Sequence, residues 1–323
     1  MSAARLRIGT RASALALWQA RHVEALLKSQ SGAPGVELVH ITTQGDAQRD
    51  VPLWRTAGRA FFTREIDTAL TAGTIDVAVH SLKDLPTALA PGVVLAATLP
   101  REDPRDALVS RSGASLAELP ARARIGTSSL RRRAFLARLR PDALPVELRG
   151  NVPTRLERLR AGDYDAIILA AAGLTRLGLA RQISQHLSPL EFPPAVSQGV
   201  IGVCARADDA ATLTLLRALN DPAARLAVSA ERSLLARLEG GCQVPLGALA
   251  ELRSDTLELA ACVCALDGSR ELRARGTYSA PQGARLTPAD AAALGERVAD
   301  ELLAGGAAAL MAGQREALAV TAP

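Results

Sequence analysis

Lys83 and Asp84 stand side by side in the run Asp76–Pro86, DVAVHSLKDLP, where an apolar stretch of strand character gives way to polar residues. A carboxylate there can cap a helix or pair with the lysine. It can also shuttle protons and stabilise a developing cation. Cys242 raises a second chemical question, because in EGGCQVP it follows two glycines and precedes Pro245, where it adds little to a core. The run before it, Ala223–Leu238, has apolar residues at helical spacing, and Gly240 and Gly241 read as its stop. A helix C-terminus disfavours a thiolate, and His22, His40, His80 and His186 form no dyad with Cys242. A thiol on such a bend suits a covalent tether for a bulky group better than a protease-like nucleophile.

Four strand ends carry a common pattern: GTRAS at Gly9–Ser13, SLKD at Ser81–Asp84, SSLRRR at Ser128–Arg133 and RGNVPTR at Arg149–Arg155. Each joins small or hydroxyl residues to a cation at the carboxyl end of a strand, where open α/β sheets bind ligands and helix starts favour anions. Arg131 and Arg132 fall in a first helical turn, at a cost of about 0.3–1 kcal/mol each that a bound anion would offset. The pattern implies a cleft between two α/β domains, built for a ligand with several carboxylates or phosphates. Guanidinium groups hold carboxylates by two-point hydrogen bonding.

The elements that must position these groups alternate. Candidate strands are 5–9, 36–42, 76–80 and 93–98, with helices at 13–28 and 62–72. After a charged linker, Pro100–Asp106, strands follow at 107–110, 124–127, 146–148 and 166–169, with helices at 129–140 and 154–160. This alternation predicts mostly parallel sheets with helices on both faces. A break near Glu191–Ala195 precedes a strand at 200–205 and a helix at 209–219. Runs at 257–266 and 271–278 and a helix at 288–303 predict a small α+β domain with an antiparallel sheet. Gln44–Ala60 is polar and without period, and Phe61 and Phe62 follow it, so it reads as a lid.

The chain has 323 residues, 48% hydrophobic and 22% charged, enough for two or three domains. No apolar run approaches the roughly 18 residues of a membrane span, and a first strand near Leu6 leaves no room for a leader. Four cysteines make no disulfide framework, which points to the cytoplasm. Cys204, Cys262 and Cys264 read as buried small residues, and no metal site is expected. Net charge is +5, yet only Lys28 and Lys83 are lysines, which makes Lys83 inside a motif conspicuous.

Together these stations resemble the hydroxymethylbilane synthase (porphobilinogen deaminase) family. The resemblance runs from IGTRASALALWQA at Ile8 through DVAVHSLKDLP, REDPRDAL at Arg101, IGTSSLRRR at Ile125 and LRGNVPTRL at Leu148. YDAIILAAAGLTRLGL at Tyr164 and LEGGCQVPLGA at Leu238 complete it. It implies two periplasmic-binding-protein-like α/β domains, 1–99 with 200–219 and 105–193, and a small C-terminal α+β domain, 222–323. It implies a monomer whose partner is the small molecule porphobilinogen, with no nucleic acid and no membrane.

By the same resemblance, a dipyrromethane cofactor is held by a thioether to Cys242, with Lys83, Ser129, Arg131, Arg132 and Arg155 pairing its carboxylates. Four porphobilinogen units are added to it with loss of ammonia, and hydroxymethylbilane is released. Asp84 matches the catalytic acid. Arg11, Ser13, Phe62, Arg149, Arg176 and Gln198 are the substrate-binding candidates.

The chain departs from the family pattern at Gln44, Ala57, Arg59 and Ala60, which bear on the lid, and at Pro153 and Ser197. Two rivals fit less of the sequence. A non-catalytic binding protein for a polycarboxylate leaves Asp84 and Cys242 without a task. Nucleic-acid binding through SSLRRRAFLARLR lacks interleaved aromatics.

Overall fold

The computed structural model describes residues 5–30, 34–47, 63–238, 245–281 and 283–312. The chain begins β1 (Leu6–Thr10), α1 (Ala14–Lys28), β2 (Val36–His40), a short α2 (Gln44–Ala47), α3 (Arg64–Thr71), β3 (Val77–Ser81) and β4 (Val93–Thr98). Next come β5 (Asp106–Ser110), β6 (Arg124–Gly126), α4 (Leu130–Leu139), β7 (Leu144–Val146), α5 (Val152–Arg160), β8 (Ala166–Ala170), α6 (Ala171–Arg176) and β9 (Gln185–His186). The chain continues through β10 (Ile201–Arg206), α7 (Ala210–Arg217), α8 (Pro222–Arg237), β11 (Leu246–Arg253), β12 (Thr256–Cys264), β13 (Glu271–Ser279) and α9 (Pro288–Ala304).

Two five-stranded sheets, ordered β2-β1-β3-β10-β4 and β7-β6-β8-β5-β9, form two α/β lobes. Each is parallel apart from one reversed strand, β10 in the first and β5 in the second. Strands β3 and β8 are buried along nearly their whole length, as strands covered on both faces must be. The helices that follow strand ends are capped by side chains. Ser13, Ser129 and Asn151 accept from the backbone N–H of Ala16, Arg132 and Thr154. Pro153 therefore falls in the first turn of α5, where its missing N–H costs no helical bond.

The third sheet, β11-β12-β13, is antiparallel. On one face Leu257, Leu259 and Val263 pack with Leu234 of α8 and Leu294 and Val298 of α9. On the other, Cys262 and Cys264 are buried in a cluster with Phe135 and Phe192 of the second lobe. Gly268, at φ +74°, lies so close to α4 that a Cβ would collide with the backbone of Ala137 and Arg138. Helix α8 also reaches the first lobe, where Arg232 donates to the carbonyls of Leu85, Pro86 and Thr87 at 3.3, 2.5 and 3.2 Å.

The lobes are joined by two crossing segments that run against each other. Glu102 N–H donates to Gly199 O at 3.1 Å, and Arg101 Nε donates to Gln198 O at 2.9 Å. Gly199, at φ +90°, leaves no room for a Cβ beside the Glu102 carbonyl. Glu231 of α8, fully buried, accepts from Arg101 and from the backbone N–H of Ser197 and Ala250. One carboxylate thus ties both crossings to the C-terminal sheet.

Some elements differ from the sequence expectation. Strand β7 lies two residues earlier than 146–148, and Asp106, read as the end of a linker, opens β5 fully buried. Strands β9 and β11 were not anticipated. The sequence of β11, LGALAELR, favours helix by composition, and eight register pairs with β12 override that preference. Within the lid segment, Gln44–Ala47 forms α2, and residues 48–60 lie outside the described residues.

Candidate active site

The chain after β3 turns at once into a single 3-10 turn, Leu82–Asp84, which presents Lys83 and Asp84 where the strand ends. Lys83 Nζ donates to Gln198 Oε1 at 3.1 Å, and Gln198 Nε2 donates to Asp106 Oδ1 at 3.0 Å. Asp106 is the shared counter-ion of Arg131 and Arg132, each at 2.7 Å. A continuous polar path therefore runs from the first lobe through the second crossing into the second lobe.

Arg131 and Arg132 do sit in the first turn of α4, and here the expected compensation takes a different form. Both are buried, at 5% and 6% exposure, and the protein itself supplies their anion in Asp106. Each also donates once to a carbonyl, Arg131 Nη1 to Pro193 O at 2.6 Å and Arg132 Nη1 to Ile168 O at 2.7 Å, which leaves further N–H groups on each guanidinium. Burial alone would raise the Asp106 pKa, and the two guanidiniums override it, holding the carboxyl well below its usual range.

The cations outnumber the carboxylates. Burial first, and then the charge of Arg132, push Lys83 down to about 8; Asp84 and Asp106 oppose the shift. Burial, followed by Arg132 and Arg149, pushes Arg155 down to about 10, against the pull of Glu147 and Asp84. Arg155 Nε donates to Gly150 O at 2.7 Å, in the turn that carries Arg149. Asp84 thus lies within electrostatic reach of Lys83 and Arg155, and among the described residues its carboxylate accepts no hydrogen bond. Among the described residues, the carboxylates that act on Lys83, Arg131, Arg132 and Arg155 are Asp84, Asp106 and Glu147. That excess of positive charge, buried at Arg131 and Arg132 and half-buried at Lys83 and Arg155, fits a ligand that brings several carboxylates, such as dipyrromethane.

The other candidates flank this centre. Arg11 follows β1 and lies by the end of β3, where burial and then its charge lower His80 to about 4. Ser13 and Ser129 spend an acceptor lone pair each as helix caps, which leaves their O–H groups to donate. Arg176, at the end of α6, donates to Gly199 O at 2.6 Å, next to Gln198. Phe62 and Cys242 lie outside the described residues, so the tether and the ring contact are not placed. Sequence reasoning missed Asp106 and Glu231. The REDPRDAL run held a usable signal for the first, an acid opening an apolar strand; Glu231 carries none.

Three further statements concern the described residues. No helix is long and apolar enough to cross a membrane, and no group of three His, Cys, Asp or Glu is placed to hold a metal ion. Cys204, Cys262 and Cys264 are free thiols.

The family description "Porphobilinogen deaminase, dipyromethane cofactor binding domain" matches residues 6–214, and the C-terminal domain of the same family matches residues 225–304. Porphobilinogen deaminase from Roseiflexus sp. strain RS-1 is 54% identical over 310 residues, covering 95% of this chain and 99% of its own. The protein of that name from Syntrophotalea carbinolica is 49% identical over 312 residues, covering 97% and 96%. Among solved structures, a Burkholderia cenocepacia nutrient binding protein bound to methionine aligns with 72% of this chain and 95% of its own. That alignment has a TM-score of 0.42 and 14% identity.

Proposed function

The chain belongs to the porphobilinogen deaminase family, and from that premise we propose a division of labour among the residues of its cleft. The enzyme is a transferase that joins four porphobilinogen molecules head to tail, with loss of ammonia, to give hydroxymethylbilane on a dipyrromethane primer. The observation that supports the residue assignment is the excess of cations beside Asp84, whose carboxyl group accepts no hydrogen bond among the described residues.

Lys83, Ser129, Arg131, Arg132 and Arg155 hold the primer's carboxylates, and Cys242 bears it through a thioether. The primer supplies a nucleophilic pyrrole carbon as the growing point. Arg11, Ser13, Arg149 and Arg176 take the carboxylates of arriving units, Gln198 orients Lys83, and Phe62 stacks near the reacting ring. Asp84 assists departure of the substrate's ammonium as ammonia, the C–N bond electrons leaving with the nitrogen, and stabilises the positive charge left on the substrate. Among the described residues its oxygens accept no hydrogen bond, which leaves them to accept from pyrrole N–H groups.

The working unit is a cytoplasmic monomer with three domains, 1–99 with 200–219, 105–193 and 222–323. The return of β10 into the first sheet supports that division. The direct test is to incubate the purified protein with porphobilinogen, oxidise, and look for uroporphyrin absorbance. Absence of tetrapyrrole from a folded, primed protein overturns the reading.

A further inference from the structure

A second recess opens where the two lobes meet, outside the network around Asp84. It has a volume of about 390 Å3 and is lined by Ala14, Trp18, Arg21, His22, Arg176 and Leu177. That size falls within the roughly 300–1,000 Å3 of small-ligand pockets. Helix α1 turns its Gln19, Ala20, Val23 and Leu27 inward to the core. Ala14, Trp18, Arg21 and His22 form the adjoining stripe, and α6 of the other lobe completes the recess.

The lining has the chemistry of an aromatic-acid site. Trp18 and His22, one helical turn apart, stack with ring centroids 5.1 Å apart and planes 18° from parallel. The Arg176 guanidinium carbon lies 5.9 Å from the Trp18 ring centroid. Burial, and then the charge of Arg176, lower the His22 pKa from its ordinary 6.5, so at neutral pH the imidazole is uncharged and free to stack. Two guanidiniums line the recess with no carboxylate among them, and among the described residues Arg176 makes no ion pair. A flat ring would meet the indole and imidazole, and its acid groups would meet Arg21 and Arg176.

The recess connects to the reacting centre through atoms already placed. Arg176 holds Gly199 O, the preceding residue Gln198 holds Lys83, and Lys83 adjoins Asp84. We propose that Trp18, Arg21 and His22, with Arg176, form an outer docking subsite for one carboxylated pyrrole ring on its path along the cleft. The subsite rests on the porphobilinogen reading above and adds three residues to it, one of which, Trp18, also packs against the first lobe's core. The ring has two sources, an arriving porphobilinogen or the free end of the growing chain.

Trp18 reports on the subsite directly. In the primed Trp54→Phe enzyme Trp18 is the sole tryptophan, and porphobilinogen is added with and without a second change, Asp84→Asn, that stops chain growth. A change in Trp18 emission in both forms identifies the arriving monomer. A change only when growth proceeds identifies the chain end. Either supports the subsite.

His22→Ala and Arg21→Gln, both at the helix surface, should raise KM for porphobilinogen between roughly threefold and tenfold, with kcat within twofold. Silent Trp18 emission together with unchanged KM in both variants overturns the subsite. Wild-type conversion to tetrapyrrole, measured in parallel, separates that failure from failure of the porphobilinogen reading itself.

Discussion

Glu231 Oε1 accepts from Arg101 Nη1 at 2.6 Å, joining the helix that leads to the C-terminal sheet to the first crossing between the lobes. The carboxylate is fully buried and also accepts from Ser197 and Ala250 N–H. Removing one partner of a buried pair leaves an uncompensated charge, at a cost of about 3–5 kcal/mol. Glu231→Ala should lower the urea midpoint accordingly; a midpoint unchanged within error would show that the node carries no stability.

Asp84→Ala should fold and take up porphobilinogen yet lose nearly all turnover. Steady-state tetrapyrrole formation checks this. Retention of more than about a tenth of the rate, a barrier change of only 1.4 kcal/mol, moves the acid role to another group.

Lys83 gives the site a pH dependence. With its pKa pushed down to about 8 from an ordinary 10.5, the folded apoprotein loses this ammonium as pH rises through 8, whereas the unfolded chain keeps it to 10.5. Because the unfolded chain binds the extra proton in that window, this group's contribution to stability improves with rising pH. Carboxylate binding has the opposite sign, since it needs the ammonium. Conversion of apoenzyme to primed enzyme, followed by intact mass, should slow as pH climbs past 8, and Lys83→Arg should flatten that limb. An identical profile in the variant refutes the assignment.

Arg132 and Arg149 separate a cation that binds ligand and also supports the fold from one that binds ligand alone. Arg132→Leu breaks a pair with fully buried Asp106 and should lower both stability and elongation. Arg149→Leu leaves the Asp106 pair intact, so it should stall elongation with a smaller loss of midpoint. Denaturation and single-turnover product length, measured on both, distinguish the two roles.

Ser197 holds φ +63° with a buried hydroxyl that has no hydrogen-bond partner among the described residues. Left-handed backbone costs a non-glycine residue about 1–2 kcal/mol, and glycine's extra unfolded-state freedom returns only part of that. Ser197→Gly should therefore raise stability by about 1 kcal/mol. A drop in midpoint would show that the hydroxyl has a use.

Cys242→Ser should leave the purified protein at the mass of bare polypeptide after incubation with porphobilinogen. A mass gain in that variant refutes the thioether.

Much of this was readable before any coordinates. Strand ends announced themselves through hydroxyl and cationic residues following β-branched runs, so type and place single out Lys83, Arg131, Arg132 and Arg155 as candidates. Asp106 was missed because a charged, proline-bearing run reads as solvated linker, and only tertiary burial turns its last residue into a counter-ion. Glu231 was invisible for a similar reason: within an amphipathic helix, one acid among arginines looks exposed until the crossing segments and β11 close over it. Strand β11 was lost because alanine, leucine and glutamate carry a helical preference that only cross-strand pairing reverses. Trp18 and His22 look like ordinary α1 residues until α6 of the other lobe faces them.

Arg232, from the middle of α8, grips the three carbonyls that come straight after Asp84. The acid's turn and α8 are therefore bolted together, and α8 packs in turn on the C-terminal sheet. Any shift of that sheet with its helix must carry the acid along with it.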